Sequence, residues 1–305
     1  MLATSPDCLK QKMTITAPYF AFDNLTVIGL KAQVIETTIS HCQLNQIAGF
    51  SRTGHDGLSM AQIYRLLNNI GACAIELHNQ LDHKNYYLTE QARGKRLTGL
   101  NLARADFPLT LRAKGKKITS MTGCAKADLY NADGVKLFSL KLNYTILSAE
   151  LFHQRYGFYR QNINKEKAPQ HRQQPQQLQL PPLNELIITP PHHAVATFGP
   201  VEQHFCAGHF DQYNALPVDI LIDKSIELAQ QWLNVTHKSV AMELSLNKFN
   251  LTTDELAFSE DELSLSCCQL PTQLNKPSAE QTINVTVLVY VRAQAIAEIE
   301  LEFGH

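Results

Sequence analysis

The chain has 305 residues, of which 44% are apolar and 18% charged, with 27 basic against 28 acidic side chains. This size and composition describe a globular protein with room for two cores and exclude a disordered or fibrous chain. The near-zero net charge offers no field for nucleic acid or an anionic membrane, so neither is an expected partner. The first residues, MLATSPDCLKQKMTITAPYF, hold no long apolar run behind a basic start, and the expected location is the cytoplasm.

In chain order, Thr26 to Ser40 reads as a strand. Leu58 to Leu77 then places Ile63, Leu66, Leu67, Ile70, Ala74 and Leu77 on one helical face. After Asn85 the period changes to two. Met121 to Leu129 and Phe138 to Ile146 alternate around the corner Asn131-Ala132-Asp133-Gly134, a hairpin signal. Asn164 to Pro182, NKEKAPQHRQQPQQLQLPP, holds six glutamines and four prolines and reads as a linker. Beyond it the order repeats: the strand-like HHAVATF, a helix over Val218 to Leu233, a strand run through Val240, Met242, Leu244 and Leu246, and a last segment with every odd position from Ile283 to Phe303 apolar. That segment is long enough for a bent strand or a tight hairpin.

Strand, helix and several antiparallel strands, occurring twice, suggest a duplicated α+β chain: an N-terminal domain over 1–163, a linker over 164–185 and a C-terminal domain over 186–305. The seven cysteines are odd in number and lack C-x-x-C spacing, so neither a disulfide framework nor a structural zinc is expected. The adjacent Cys267 and Cys268 read as reduced filler. His83, His192, His193 and His204 lack carboxylates at metal-ligand spacing, and no metal is expected. Lys114 to Lys117, KGKK, reads as the basic turn of a solvated hairpin, or alternatively as a contact for an acidic carrier protein or a phosphopantetheine arm.

Gly208-His209-Phe210, followed by Pro217 and by Asp223 inside the apolar helix, resembles the active-site region of the bacterial 3-hydroxyacyl-carrier-protein dehydratases, with the same 14-residue step from histidine to carboxylate. Val218 and the loop Asp211-Gln212-Tyr213 depart from that pattern. A neutral imidazole can take an α proton while a protonated carboxyl helps a β hydroxyl leave, and burial on an apolar helix favours the protonated carboxyl. In the first half, Gly54-His55-Asp56-Gly57 with Gln62 six positions after Asp56 is similar to the hotdog domain of the A-factor biosynthesis family, with glutamine in place of its acid. Asp133-Gly134, Ser148 and Tyr156-Gly157 extend that resemblance.

These resemblances imply a tandem, or double, hotdog: in each half an antiparallel sheet wrapped around a central helix. They also imply an enzyme acting on acyl thioesters of an acyl carrier protein or coenzyme A. It would use no bound cofactor beyond the phosphopantetheine arm of the substrate, and possible homodimers of the double hotdog follow. Dehydration of a 3-hydroxyacyl thioester is the leading expectation; transfer of a 3-oxoacyl group to a hydroxylated acceptor, hydrolysis, and acyl binding without catalysis are the others. The family arrangement across a dimer interface implies that His55 faces Asp223 as the working pair and that His209 faces Gln62, which can hydrogen-bond but cannot act as an acid.

Overall fold

The computed structural model describes residues 9, 12–16, 19–20, 22–28, 34–40, 58–79, 83–97, 107–160, 180–210, 212–236, 245–269 and 282–304. The first half supplies β1 (Thr26–Ile28), β2 (Val34–Ile39), helix α1 (Met60–Glu76), β3 (Asn85–Arg96), β4 (Leu109–Lys117), β5 (Thr122–Tyr130) and β6 (Lys136–Ser148). A short helix α2 (Ala149–Tyr156) follows. The second half supplies β7 (Asn184–Thr189), β8 (His193–Phe198), helix α3 (Val218–Thr236), β9 (Ser245–Thr253), β10 (Leu263–Gln269), β11 (Ile283–Val291) and β12 (Gln294–Gly304). Most of the expected linker, residues 164–179, and the run from Val240 to Leu244 lie outside the described residues.

The twelve strands form one antiparallel sheet in the order β1-β2-β4-β5-β6-β3-β9-β12-β11-β10-β8-β7. All strands of the first half therefore lie on one side of the β3–β9 pairing, which sets Gln91 opposite Thr252 and Lys95 opposite Lys248. Helix α1 packs on β2, β4, β5 and β6, α3 on β8, β10, β11 and β12, and the two helices touch each other.

Two details of register explain how the alternating pattern becomes one buried face. The terminal segment is a tight hairpin whose corner, Arg292 and Ala293, has positive φ at both residues, the conformation that matches strand twist. A two-residue turn alone sets odd positions against even ones. The irregularity between Val289 and Tyr290 shifts the pairing so that Val289 meets Ala297, Val287 meets Ile299 and Val285 meets Leu301, and all six are buried. The stretch from Thr26 to Ser40, by contrast, is not one strand: Ile28 pairs with Val34, so the chain has doubled back between them. Apolar periodicity is blind to such a reversal when both arms present the same face.

The KGKK stretch also differs from expectation. It closes strand β4 and is no turn, because Gly115 faces the inner side where α1 lies against it. A Cβ there would stand 2.4 Å from the Ala74 carbonyl carbon, while Lys114 and Lys116 point outward. Replacing Gly115 with valine is expected to lower stability by about 2 kcal/mol or more through overpacking against a backbone that cannot yield, with the shift read from the urea midpoint at constant m-value.

Candidate functional site

Every residue of α1 from Ala61 to Glu76 is buried, and that run includes Gln62, Arg65, Asn68, Asn69 and Glu76. Buried polar groups require partners, and following those partners leads to the junction of the two halves. The Arg65 Nε donates to Asp219 Oδ2 at 2.7 Å, and the two side chains are 4% and 0% exposed. Asp219 lies in the first turn of α3, where the helix dipole favours a negative charge. Burial pushes its carboxyl upward, and the Arg65 guanidinium, the backbone and Tyr19 oppose that push. The Tyr19 hydroxyl donates to Asp219 Oδ1 at 3.2 Å, and the guanidinium of Arg65 lies over the Tyr19 ring, 4.6 Å from its centroid. The Asn69 amide donates to the Tyr19 carbonyl at 3.1 Å, which anchors this N-terminal segment on α1.

Tyr19 also meets His209, with ring centroids 4.7 Å apart. Gly208 adopts a φ of +78°, a conformation that glycine takes without strain, and its carbonyl accepts from Thr16 N at 2.8 Å; the next residue, His209, is thereby turned inward. His209 Nδ1 sits 2.9 Å from the Ala215 carbonyl. A carbonyl only accepts, so Nδ1 carries the proton and Nε2 the lone pair. Burial, aided by the charge of Arg65, holds this imidazole down to about 4 against the hydrogen bond to Ala215.

His209 lines a cavity of about 260 Å³ shared by both halves. Asn68 of α1 and Thr89 of β3 come to it from one half, and Val218 and Glu255 from the other. The register slip between Thr89 and Gln91 and the end of β9 at Thr253 open the sheet at this place. The Oδ1 of Asn68 accepts from the Thr89 hydroxyl at 2.9 Å, which leaves its Nδ2 as the donor for the cavity. Burial works to raise the Glu255 carboxyl. Hydrogen bonds from the Tyr156 hydroxyl at 2.6 Å, from Arg155 at 3.0 Å and from Leu256 N outweigh it and hold the group below its ordinary range.

The residues singled out from sequence fall differently. His209 is at the cavity. Gln62 is not: its Oε1 accepts from Ser59 N at 2.9 Å while its own N–H donates to the Ser59 hydroxyl at 3.1 Å, a reciprocal cap that folds the side chain back on the helix start. The positions of α1 beside His209 are Arg65, through Tyr19, and Asn68, roughly one and two turns further on. Asp223 is half-buried beside Lys224 at 4.0 Å and does not line the cavity; burial raises its carboxyl to about 6. His55 lies outside the described residues, and so does its expected pairing with Asp223. Tyr19, Arg65, Asn68, Asp219 and Glu255 carried no motif. The visible hints were Ser59-x-x-Gln62, which spells a capping box, and an acidic residue straight after Pro217-Val218.

No protein-family model matches the chain, and no curated protein matches it by sequence. Among solved structures it is similar to the tesB protein of Mycobacterium avium subspecies paratuberculosis, with a TM-score of 0.54 and 10% identity over 98% of both chains. It is also similar to a protein provisionally assigned as an oleoyl thioesterase from Lactobacillus plantarum (TM-score 0.53, 11% identity, 92% of this chain and 98% of that one). A third likeness is the 12:0-ACP thioesterase from Umbellularia californica (0.51, 9%, 89% and 94%). At such identities the likeness establishes the fold: the chain has the hotdog-like architecture of these proteins, a large antiparallel sheet with few helices. Among the described residues no helix is long and apolar enough to cross a membrane.

Two measurements follow from the junction. Arg65→Met or Asp219→Leu alone should cost about 3–5 kcal/mol, because each strands a buried charged partner, whereas the double variant Arg65→Met/Asp219→Leu should recover a large part of that loss in a thermodynamic cycle. His209 is neutral in the fold and takes a proton more readily when unfolded, so its share of stability is complete above pH 6.5. That share shrinks as pH falls from 6.5 to about 4, a loss of about 3 kcal/mol. Asp223, with its raised carboxyl, acts with the opposite sign between about 6 and 3.8. The His209 share is therefore read as the difference between wild type and His209→Gln in urea titrations across that range.

Proposed function

We propose that the chain is a tandem hotdog acyl-thioester hydrolase with its site in the cavity between the halves. Support for the tandem reading comes from the sheet, in which, among the described residues, each half contributes six consecutive strands and one long helix. The observation that carries the reaction is His209: Nδ1 is committed to Ala215, Nε2 keeps its lone pair, and the ring lines the cavity together with Glu255, whose carboxyl is held below its ordinary range. The three solved proteins similar in fold carry thioesterase or tesB names, which agrees with this class.

In the proposed reaction, water attacks the thioester carbonyl carbon as Nε2 of His209 takes its proton. The oxygen that becomes negative is met by Asn68 Nδ2. Collapse breaks the carbon–sulfur bond, the thiolate leaves, and the proton on His209 passes to it, giving a free carboxylic acid and a thiol. A thiol ionises near pH 8.5, so its departure needs little help from an acid. Departure of a β hydroxyl does need one. Glu255 is held ionised and Asp219 is bound to Arg65, so neither suits dehydration. Dehydration keeps one specific support in Asp223, whose carboxyl is raised to about 6, and stands as the second reading.

Medium- and long-chain acyl thioesters, together with 3-hydroxyacyl thioesters, should be incubated with the protein and the products weighed by mass spectrometry. The expected result is free acid plus thiol. Loss of water with the thioester intact would establish dehydration instead. His209→Ala is expected to lower kcat by 10²- to 10⁴-fold. Since the base must be neutral, kcat/KM should stay level down to mildly acidic pH and fall with an apparent value of about 4, in place of the ordinary 6.5.

A further inference from the structure

The outer face of the first half carries a row of cations that the fold does not explain. Lys114 on β4 stands directly opposite Lys126 on β5, Lys126 opposite Lys141 on β6, and Lys141 opposite Arg93 on β3. All four are exposed, and none has an ion-pair partner among the described residues. Like charges directly opposite one another on neighbouring strands are destabilising, so this register works against the sheet. Lys116 and Arg112 flank the row, the latter paired with Glu36. Lys114, Lys126 and Lys141 form the floor of a shallow groove of about 580 Å³.

The row also points somewhere. Asn143 borders the same groove and donates to Gln91 at 3.1 Å, and both Gln91 and Thr145 line the cavity that holds His209. Lys141, Asn143 and Thr145 share the outer face of β6, so the cavity edge lies roughly 13 Å along the strand from the row. Strands about 4.8 Å apart spread the four charges over roughly 14 Å. An acidic helix laid across the strands, with carboxylates three and four residues apart, offers a matching ladder of roughly 5–6 Å steps.

We infer that this face docks an acidic, helical acyl carrier protein, placing its prosthetic arm at the cavity edge beside Gln91 and Thr145. The inference rests on the thioester reading and names the carrier for it. The test compares wild type with the triple variant Lys114→Glu/Lys126→Glu/Lys141→Glu on one dodecanoyl chain, attached in turn to an acidic acyl carrier protein, to coenzyme A and to uncharged N-acetylcysteamine. The variant is expected to lose at least tenfold in kcat/KM, along with most of the salt dependence, on the carrier substrate, and to keep the N-acetylcysteamine rate. Lys126→Glu alone relieves two cross-strand repulsions, so a melting temperature at or above that of wild type shows that the fold is kept. Unchanged carrier turnover overturns the docking, as does a loss confined to the coenzyme A substrate, or a change from dimer to monomer that leaves the carrier rate intact. Should wild type hydrolyse none of the thioesters, the functional reading fails by itself. Titration of the unloaded holo carrier against wild type and the triple variant then decides the docking: equal affinities sink it, and weakened binding to the variant upholds it.

Discussion

The buried ion pair between Arg65 and Asp219 is the constraint on which the junction depends. Neither group could sit in so apolar a place alone, because an isolated charge there loses its hydration without return. One belongs to the helix of the first half and the other to the helix of the second, so the requirement that they meet dictates how α1 and α3 approach. Tyr19 completes the arrangement by donating to the carboxylate with its hydroxyl while its ring carries Arg65 and packs against His209. The same guanidinium that satisfies Asp219 thus helps to keep the imidazole neutral. A stability device and the tuning of the imidazole are one structure.

The sheet contributes the opening. Where β3 slips register at Glu90 and β9 comes to an end, the otherwise continuous layer of strands parts, and the cavity lies there between the halves. Its walls come from α1, β3, α2, the turn before α3 and the residues after β9, elements far apart in the chain. One carboxylate of its lining, Glu255, is strapped by Tyr156 and Arg155 from α2 and is held below its ordinary range. A neutral imidazole beside a carboxyl held low is what favours the proposed hydrolysis over dehydration on a fold that can host both.

Much of the architecture was legible in the sequence, because burial in a sheet or on a helix face imposes period two or period 3.6 directly on the residues. Helix α1, helix α3, the Asp133-Gly134 hairpin and the strand character of the last segment all followed from that periodicity. The doubling back between Ile28 and Val34 and the inward glycine of KGKK did not, since a pattern of apolar positions records which face is buried and not what lies against it.

Of the residues that line the cavity, the sequence singled out one, His209, in a turn that the glycine before it makes possible. The choice between Asp219 and Asp223 was beyond it. The two are one helical turn apart and share a face of α3, so spacing from the histidine cannot say which is swallowed by the junction and which stays near solvent. The partner of His209 on α1 was hidden for the same reason, as Gln62, Arg65 and Asn68 recur at helical intervals, and the capping of Ser59 removed the first of them. Only the packing of α1 against α3 decided these assignments, because a charge can be buried solely where its counterion arrives from a distant part of the chain.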